Sequence, residues 1–265
     1  MKVFISADIE GITTTTTHEE CNPTSPLYPR HAEQMTKEVL AVVEGAFKAG
    51  ASEVVIKDAH GPAMNIDPTQ MPENVILQRG WTGHPYMMAD GVDNTFDAAM
   101  FVGYHSAAGK PGNPLSHTFS GKAAYIKLNN RFASEFMIYS WACALEGVPS
   151  VFLSGDKMLC EDEAELHPNL VSVATKDGLG AITRNYSPVT TLKNLKEKSE
   201  QALRQDLSNA KIILPDSFEL EVFFKDQTHA EKVSHYPGAI KASSNIIIYK
   251  STQYIDVLRA VSWIL

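Results

Sequence analysis

Cysteine is scarce in this 265-residue chain: Cys21, Cys143 and Cys160 are odd in number, far apart and without a CxxC pair. That pattern argues against a disulfide framework, and Cys143, inside an apolar helical run, reads as packing and not as a nucleophile. Long apolar runs are missing too. None approaches the roughly 18 residues of a membrane span, and Met1-Lys2-Val3-Phe4-Ile5-Ser6 reads straight into a strand with no long apolar signal core. A cytoplasmic protein with no membrane partner is therefore expected. Positive charge is short: 23 Lys and Arg against 31 Asp and Glu leave a net charge of −8 and a pI near 5.6. This excludes a general nucleic-acid binder. Neither a GxGxxG nor a P-loop phosphate fingerprint occurs, and no GxSxG elbow anchors a serine hydrolase.

What remains is the composition of a soluble α/β protein, 44% hydrophobic and 20% charged. Residues 2–9 read as a buried strand. Glu33 to Ala49 carries a helical stripe of Met35, Val39, Val42, Val43 and Ala46, closed by Gly50. Residues 53–57 and 98–103 are short apolar strands, with Val75-Ile76-Leu77 another, so the order strand, helix, strand predicts a mainly parallel sheet flanked by helices. Residues 122–128 and Asn129-Asn130 predict a strand and tight turn. Phe136 to Leu145 is a helix apolar almost all round, Ser150 to Leu153 a strand, and Cys160 to Leu166 a short acidic helix. From Ser187-Pro188 the character changes: a long charged helix over Thr190 to Ala210, an alternating strand at Phe218 to Phe224, a strand at Ser243 to Tyr249 and a closing helix at Gln253 to Leu265. The expected division is a catalytic α/β domain over 1–188 and a smaller α+β lobe over 189–265.

The chemistry concentrates at strand ends. Val3-Phe4-Ile5-Ser6-Ala7-Asp8-Ile9-Glu10-Gly11 places two carboxylates at i and i+2, which share one face of an extended strand. Held away from water, such a pair costs several kcal/mol unless positive charge sits between them. Asp58-Ala59-His60-Gly61 follows the second strand, and Tyr104-His105 follows Ala98-Ala99-Met100-Phe101-Val102-Gly103. In an open parallel sheet these ends converge on the ligand crevice. Carboxylates and imidazoles without thiolate suit Zn²⁺, with Mn²⁺ or Co²⁺ as alternatives, and the number of acids suits two ions bridged by a carboxylate. Glu135 heads the inward stripe of its helix with Ile138, Ala142 and Leu145. His117, beyond the Gly- and Pro-rich stretch Gly109 to Pro114, is a candidate proton shuttle or oxyanion stabiliser. His84, His167, His229 and His235 read as structural or exposed, and His18 with Glu19 and Glu20 as a solvated loop.

In this order, Ser6-Ala7-Asp8-Ile9-Glu10-Gly11-Ile12, Lys57-Asp58-Ala59-His60-Gly61, Phe101-Val102-Gly103-Tyr104-His105, Ser116-His117 and Asn129-Asn130-Arg131 leading to Glu135 resemble the zinc-dependent D-aminopeptidases of the M55 peptidase family. The resemblance implies a dizinc centre held by Asp8, Glu10, His60, His105 and Glu135 with Asp8 bridging, and His117 as the catalytic residue. It further implies release of N-terminal D-residues, small ones and D-alanine first, from short peptides with a free N-terminus, and a ring-like homo-oligomer, a decamer, with sites facing an internal chamber. Two positions depart from the family pattern: five threonines follow Ile12, and Ser134 precedes Glu135 where glycine is common. The first lies beside the ligands and bears on side-chain and stereochemical preference. A dinuclear phosphoesterase is the alternative enzyme, weakened by unclustered lysines (Lys57, Lys110, Lys122), and a non-catalytic metal or peptide carrier is the third class.

Overall fold

The computed structural model describes residues 1–265. Period-2 apolar segments form the strands and 3.6-period segments the helices, in the order β1 (Lys2–Ala7), α1 (Tyr28–Lys48), β2 (Glu53–Asp58), β3 (Val75–Gln78), β4 (Ala98–Tyr104), β5 (Ala123–Leu128), β6 (Arg131–Phe132), α2 (Glu135–Leu145), β7 (Ser150–Asp156) and α3 (Lys157–Leu166). They continue as β8 (Val171–Leu179), β9 (Ile182–Asn185), α4 (Pro188–Arg204), β10 (Phe218–Phe224), α5 (Gln227–Val233), β11 (Ala239–Lys241), β12 (Ile246–Ser251) and α6 (Tyr254–Ile264). No helix is long and apolar enough to cross a membrane, and the three cysteines are free and buried.

Seven strands form a sheet in the order β3-β2-β1-β4-β7-β8-β9, parallel throughout except for the β8–β9 hairpin at its edge. Along β1 the side chains alternate between two cores. Val3, Ile5 and Ala7 face α1 and α4, while Phe4 faces α2 and the second sheet. The chain runs outward from β1 through β2 to β3, then returns to the other side of β1 as β4. That reversal leaves a crevice beyond the carboxyl ends of β1 and β4, the place where open α/β sheets take their ligands.

The second sheet is antiparallel, β11-β12-β10-β5-β6. Its central strand buries Phe218, Leu220, Val222 and Phe224, alternate residues on one face. A division at residue 188 does not coincide with the sheets. β5 and β6 come from before it and pair into the second sheet, while α4, after it, packs on α1: the Ser199 hydroxyl reaches the Val42 carbonyl at 3.3 Å. The physical reason is pairing: β5 finds its partners Leu220 to Phe224 almost a hundred residues later.

Candidate metal centre

Asp8 and Glu10 lie in the turn just after β1, not in the strand. Turn geometry, and not the pleat, brings their carboxylates together. Two close approaches shape this turn. The Asp8 amide donates to the Val102 carbonyl at 2.8 Å and the Gly11 amide to the Gly103 carbonyl at 2.7 Å. A Cβ on Gly11 would lie 1.7 Å from the Tyr104 carbonyl oxygen, and one on Gly103, at φ +72°, would lie 2.2 Å from that of Asp8. Only glycine lets the ends of β1 and β4 touch here.

The structure brings all six sequence-selected residues together. His60, after β2, sets Nδ1 3.1 Å from both Asp8 Oδ1 and Glu10 Oε2. His105, after β4, sets Nε2 3.5 Å from Asp8 Oδ2, from Glu10 Oε2 and from Glu135 Oε2 at the head of α2. Asp8 thus turns one oxygen to each imidazole. The His105 Nδ1–H donates to the Ser106 carbonyl at 3.0 Å, which turns Nε2 towards the acids. His117 stacks on His105 at 4.5 Å between ring centroids, donates from Nδ1 to the Leu115 carbonyl at 2.8 Å, and holds Nε2 3.7 Å from Glu135 Oε1.

Electrostatics mark the cluster as anion-rich and short of positive charge. Burial works against charge on His105 and His60, yet Glu135, Glu10 and Asp8 push His105 up to about 10, and Asp8 and Glu10 raise His60 well above its ordinary value. Glu10 shows the converse: burial would raise it, but the His105 and His60 imidazoles hold it well below the usual carboxylate range. Asp8 Oδ2 and His105 Nε2 are both buried without a hydrogen-bond partner, and they face one another. Buried polar atoms are rarely left so. Two unpartnered polar atoms among carboxylates and imidazoles fit a divalent metal, whose binding would displace the proton that the acids hold on His105; Asp8, His105 and Glu135 form one group tight enough to hold it.

A family model described as Peptidase_M55, D-aminopeptidase, matches residues 1–263. The chain belongs to the M55 peptidases. A D-aminopeptidase of Bacillus subtilis (strain 168) is 26% identical over 263 residues, 98% of this chain and 95% of that protein. Among solved structures, the Zn-dependent D-aminopeptidase DppA from Bacillus subtilis, described as a self-compartmentalizing protease, matches with a TM-score of 0.92 at 25% identity, covering 100% of this chain and 96% of that one.

Around the acid and imidazole cluster, this M55 peptidase carries a supporting layer that sequence reasoning missed. Lys176, fully buried and pushed down to about 8 by burial, donates to the Glu10 carbonyl at 2.6 Å and to that of Thr15. Asn113 donates to the same Glu10 carbonyl at 3.2 Å. Asp156 accepts from the Ser106 amide and hydroxyl, both at 2.6 Å, and so fixes the carbonyl that orients His105. Asp58 sits at a strand end as expected but serves the loop instead, accepting from the amides of Asn65 and Ile66 at 2.5 and 2.8 Å. Ser134 caps α2, accepting from the Met137 amide at 2.9 Å while donating to Glu163 Oε1 at 2.6 Å.

The threonine run is fastened away from the cavity. The Thr13 amide donates to Glu38, Thr14 to Asn185, and Thr16 and Thr17 to Glu20. Thr15 Oγ1 meets His31 Nδ1 at 3.0 Å. None of the five threonines lines the cavity, which is bounded by Asp8, Glu10, His60, His117 and Glu135 on one side and by Trp81, Met87, Met88 and Phe119 on the other. His18 is no bystander in a distant loop: its exposed ring stands at the rim, Nδ1 3.8 Å from Glu10 Oε1. Its sequence context, polar and without periodicity, carried no sign of this.

Proposed function

We propose that this protein is a dizinc D-aminopeptidase acting on short peptides with a free N-terminus, with Asp8 bridging two ions that Glu10, His60, His105 and Glu135 also hold. The observation that carries the reading is the Asp8 carboxylate, split between two imidazoles, with its Oδ2 and His105 Nε2 left unpartnered at 3.5 Å. When bound, the metals would polarise the scissile carbonyl and acidify a bound water to a pKa of about 7.

The chain's own groups do the rest. With both ions bound, the three carboxylates of Asp8, Glu10 and Glu135 would leave the centre without excess negative charge, so the substrate's amine is taken in its neutral form, through its lone pair. His117, its Nδ1–H spent on Leu115, presents Nε2 to the cavity and either steadies the developing oxyanion or passes a proton to the leaving amine. Stacking on His105 and the hydrogen bond to Leu115 fix the ring, so little reorganisation is needed at the moment of reaction. The phosphoesterase alternative finds no support, because no lysine or arginine lines the cavity. Lys57 instead lies 4.0 Å from the centroid of the Trp81 ring and bonds the Gly80 carbonyl. The self-compartmentalizing solved relative supports a homo-oligomeric assembly here too, with a decameric ring as the expected form.

The test compares an aminoacyl substrate with its N-acetyl form on zinc-loaded protein. Acetylation removes the amine lone pair that the loaded centre would take, so cleavage of the free form alone is expected. Equal turnover of both would rule out an aminopeptidase.

A further inference from the structure

The apolar half of the cavity is more elaborate than an alanine methyl requires. It encloses about 380 Å³ in all, and its walls opposite the ligands are an indole, two thioethers and a phenyl ring: Trp81, Met87, Met88 and Phe119. Three of these four walls are fastened to different ligand-bearing elements. Trp81 Nε1 donates to the Gly61 carbonyl at 2.8 Å, beside His60. The Met88 carbonyl accepts from the Ser6 hydroxyl of β1 at 2.6 Å, two residues before Asp8. The Phe119 amide donates to Glu135 Oε1 at 2.7 Å.

Two of these walls also sit in backbone conformations that side-chain-bearing residues rarely adopt, Met87 at φ +43° and Phe119 at φ +70°. Around Phe119 the Ser120 amide closes on the Thr118 carbonyl at 2.8 Å, a three-residue turn. Around Met87 the chain is held by its own amide on the His84 carbonyl at 3.0 Å. Such backbone is kept where the surroundings over-determine it, and it aims a side chain at a fixed point. Here the fixed point is the space beside the acid cluster.

We propose that this pocket receives the side chain of the substrate's N-terminal residue and selects bulky apolar residues, of leucine, methionine or phenylalanine size, over alanine. The inference rests on the aminopeptidase reading above. A residue whose amine and carbonyl are both held at the acid cluster is confined to this cavity. The remainder of the peptide leads out towards the neighbouring cavity of about 250 Å³, which shares Trp81 and Met87 and ends at Trp263. No lysine or arginine lines the first cavity, and its acids and imidazoles are those of the metal cluster and His117. A charged substrate side chain therefore finds no partner there, whereas added methylenes displace water from an apolar wall. The adaptable thioethers let side chains of different shape fit equally well.

The experiment measures kcat/KM on zinc-loaded protein for D-aminoacyl amides carrying Ala, Leu, Met, Phe, Glu and Lys at the first position and the same leaving group. One methylene in an apolar pocket is worth roughly 10-fold or more in discrimination. Leu, Met and Phe are therefore expected to exceed Ala by at least about 10-fold, with Glu and Lys below Ala. Trp81→Ala, a change at a half-exposed side chain, is expected to cut the Phe-to-Ala ratio at least about 5-fold, chiefly through KM of the Phe substrate. Alanine equal to or better than the bulky residues overturns the inference, as does an unchanged ratio in Trp81→Ala. Failure to cleave any free-amine substrate brings down the aminopeptidase reading instead, and the inference with it.

Discussion

His117→Ala separates two roles that proximity alone leaves in competition. Its nitrogen belongs to a group with Glu10 and His105 that is tight enough to hold an ion, so His117 could be a ligand. The geometry favours a proton-handling role: Nδ1 is committed to the Leu115 carbonyl at 2.8 Å, while Nε2 stays 3.7 Å from Glu135 and the ring lies flat against His105. Removing a positioned general acid or oxyanion donor costs roughly 10²–10⁴-fold in kcat, or about 3–5 kcal/mol of transition-state stabilisation. KM should hardly move, since the interaction develops only in the transition state. The structural loss is one hydrogen bond and one stacked contact at a part-exposed ring, about 1 kcal/mol each, so the fold survives. The assay pairs elemental zinc analysis with single-substrate kinetics on the same preparation. Zinc content like that of the unsubstituted protein with collapsed kcat is expected. Zinc lost in step with activity would make His117 a ligand, and normal kcat would make it a spectator.

Asp8→Ala is expected to strip more metal than Glu10→Ala, because only Asp8 divides its oxygens between His60 and His105; full occupancy in purified Asp8→Ala would refute the bridging role. Glu163, fully buried beside Ser134, has its carboxyl raised from 4.5 to about 7 by burial. An acid raised in the folded state contributes stability that is present below pH 4.5 and lost as pH climbs through 7, here roughly 3 kcal/mol. Glu163→Gln keeps an oxygen for the Ser134 hydroxyl and should gain stability relative to the unsubstituted protein between pH 5 and 8. Urea melts of chelator-treated protein check this, and a difference independent of pH would refute it.

The parallel core and the cluster of acids and imidazoles were legible because each depends on short segments. β1, β2 and β4 announce themselves as apolar runs, and the functional residue follows each within three positions. Other features depend on distant partners. β8 and β9 escaped notice because Val171-Ser172-Val173-Ala174-Thr175 is short, small and only half-buried in places. The membership of β5 in the second sheet depends on a register, Leu128 with Leu220, that no local pattern encodes. Trp81, Met87 and Met88 lie in a stretch rich in Gly and Pro, where apolar residues carry no periodicity and so no direction. Lys176 reaches its carbonyls from within β8, paired on both sides, and a lone lysine in sequence reads as solvated. The threonine run looked like part of the pocket only by adjacency; its amides are taken by Glu38, Asn185 and Glu20, three residues scattered over 165 positions.

The route by which Glu135 reaches the acid cluster has a consequence in time. Four of the five carboxylates and imidazoles follow strands of the first sheet, and they can gather as soon as β4 docks on β1. Glu135 comes last in another sense. It follows β5 and β6, which without β10 are an isolated two-stranded ribbon and marginal in water. Its helix is tied to α6, where the Tyr254 hydroxyl donates to the Ile138 carbonyl at 2.8 Å. During synthesis, then, residues 218–264 must emerge and pair before Glu135 is in place. A chain so arranged cannot gather all five of these side chains until residue 264 has been made.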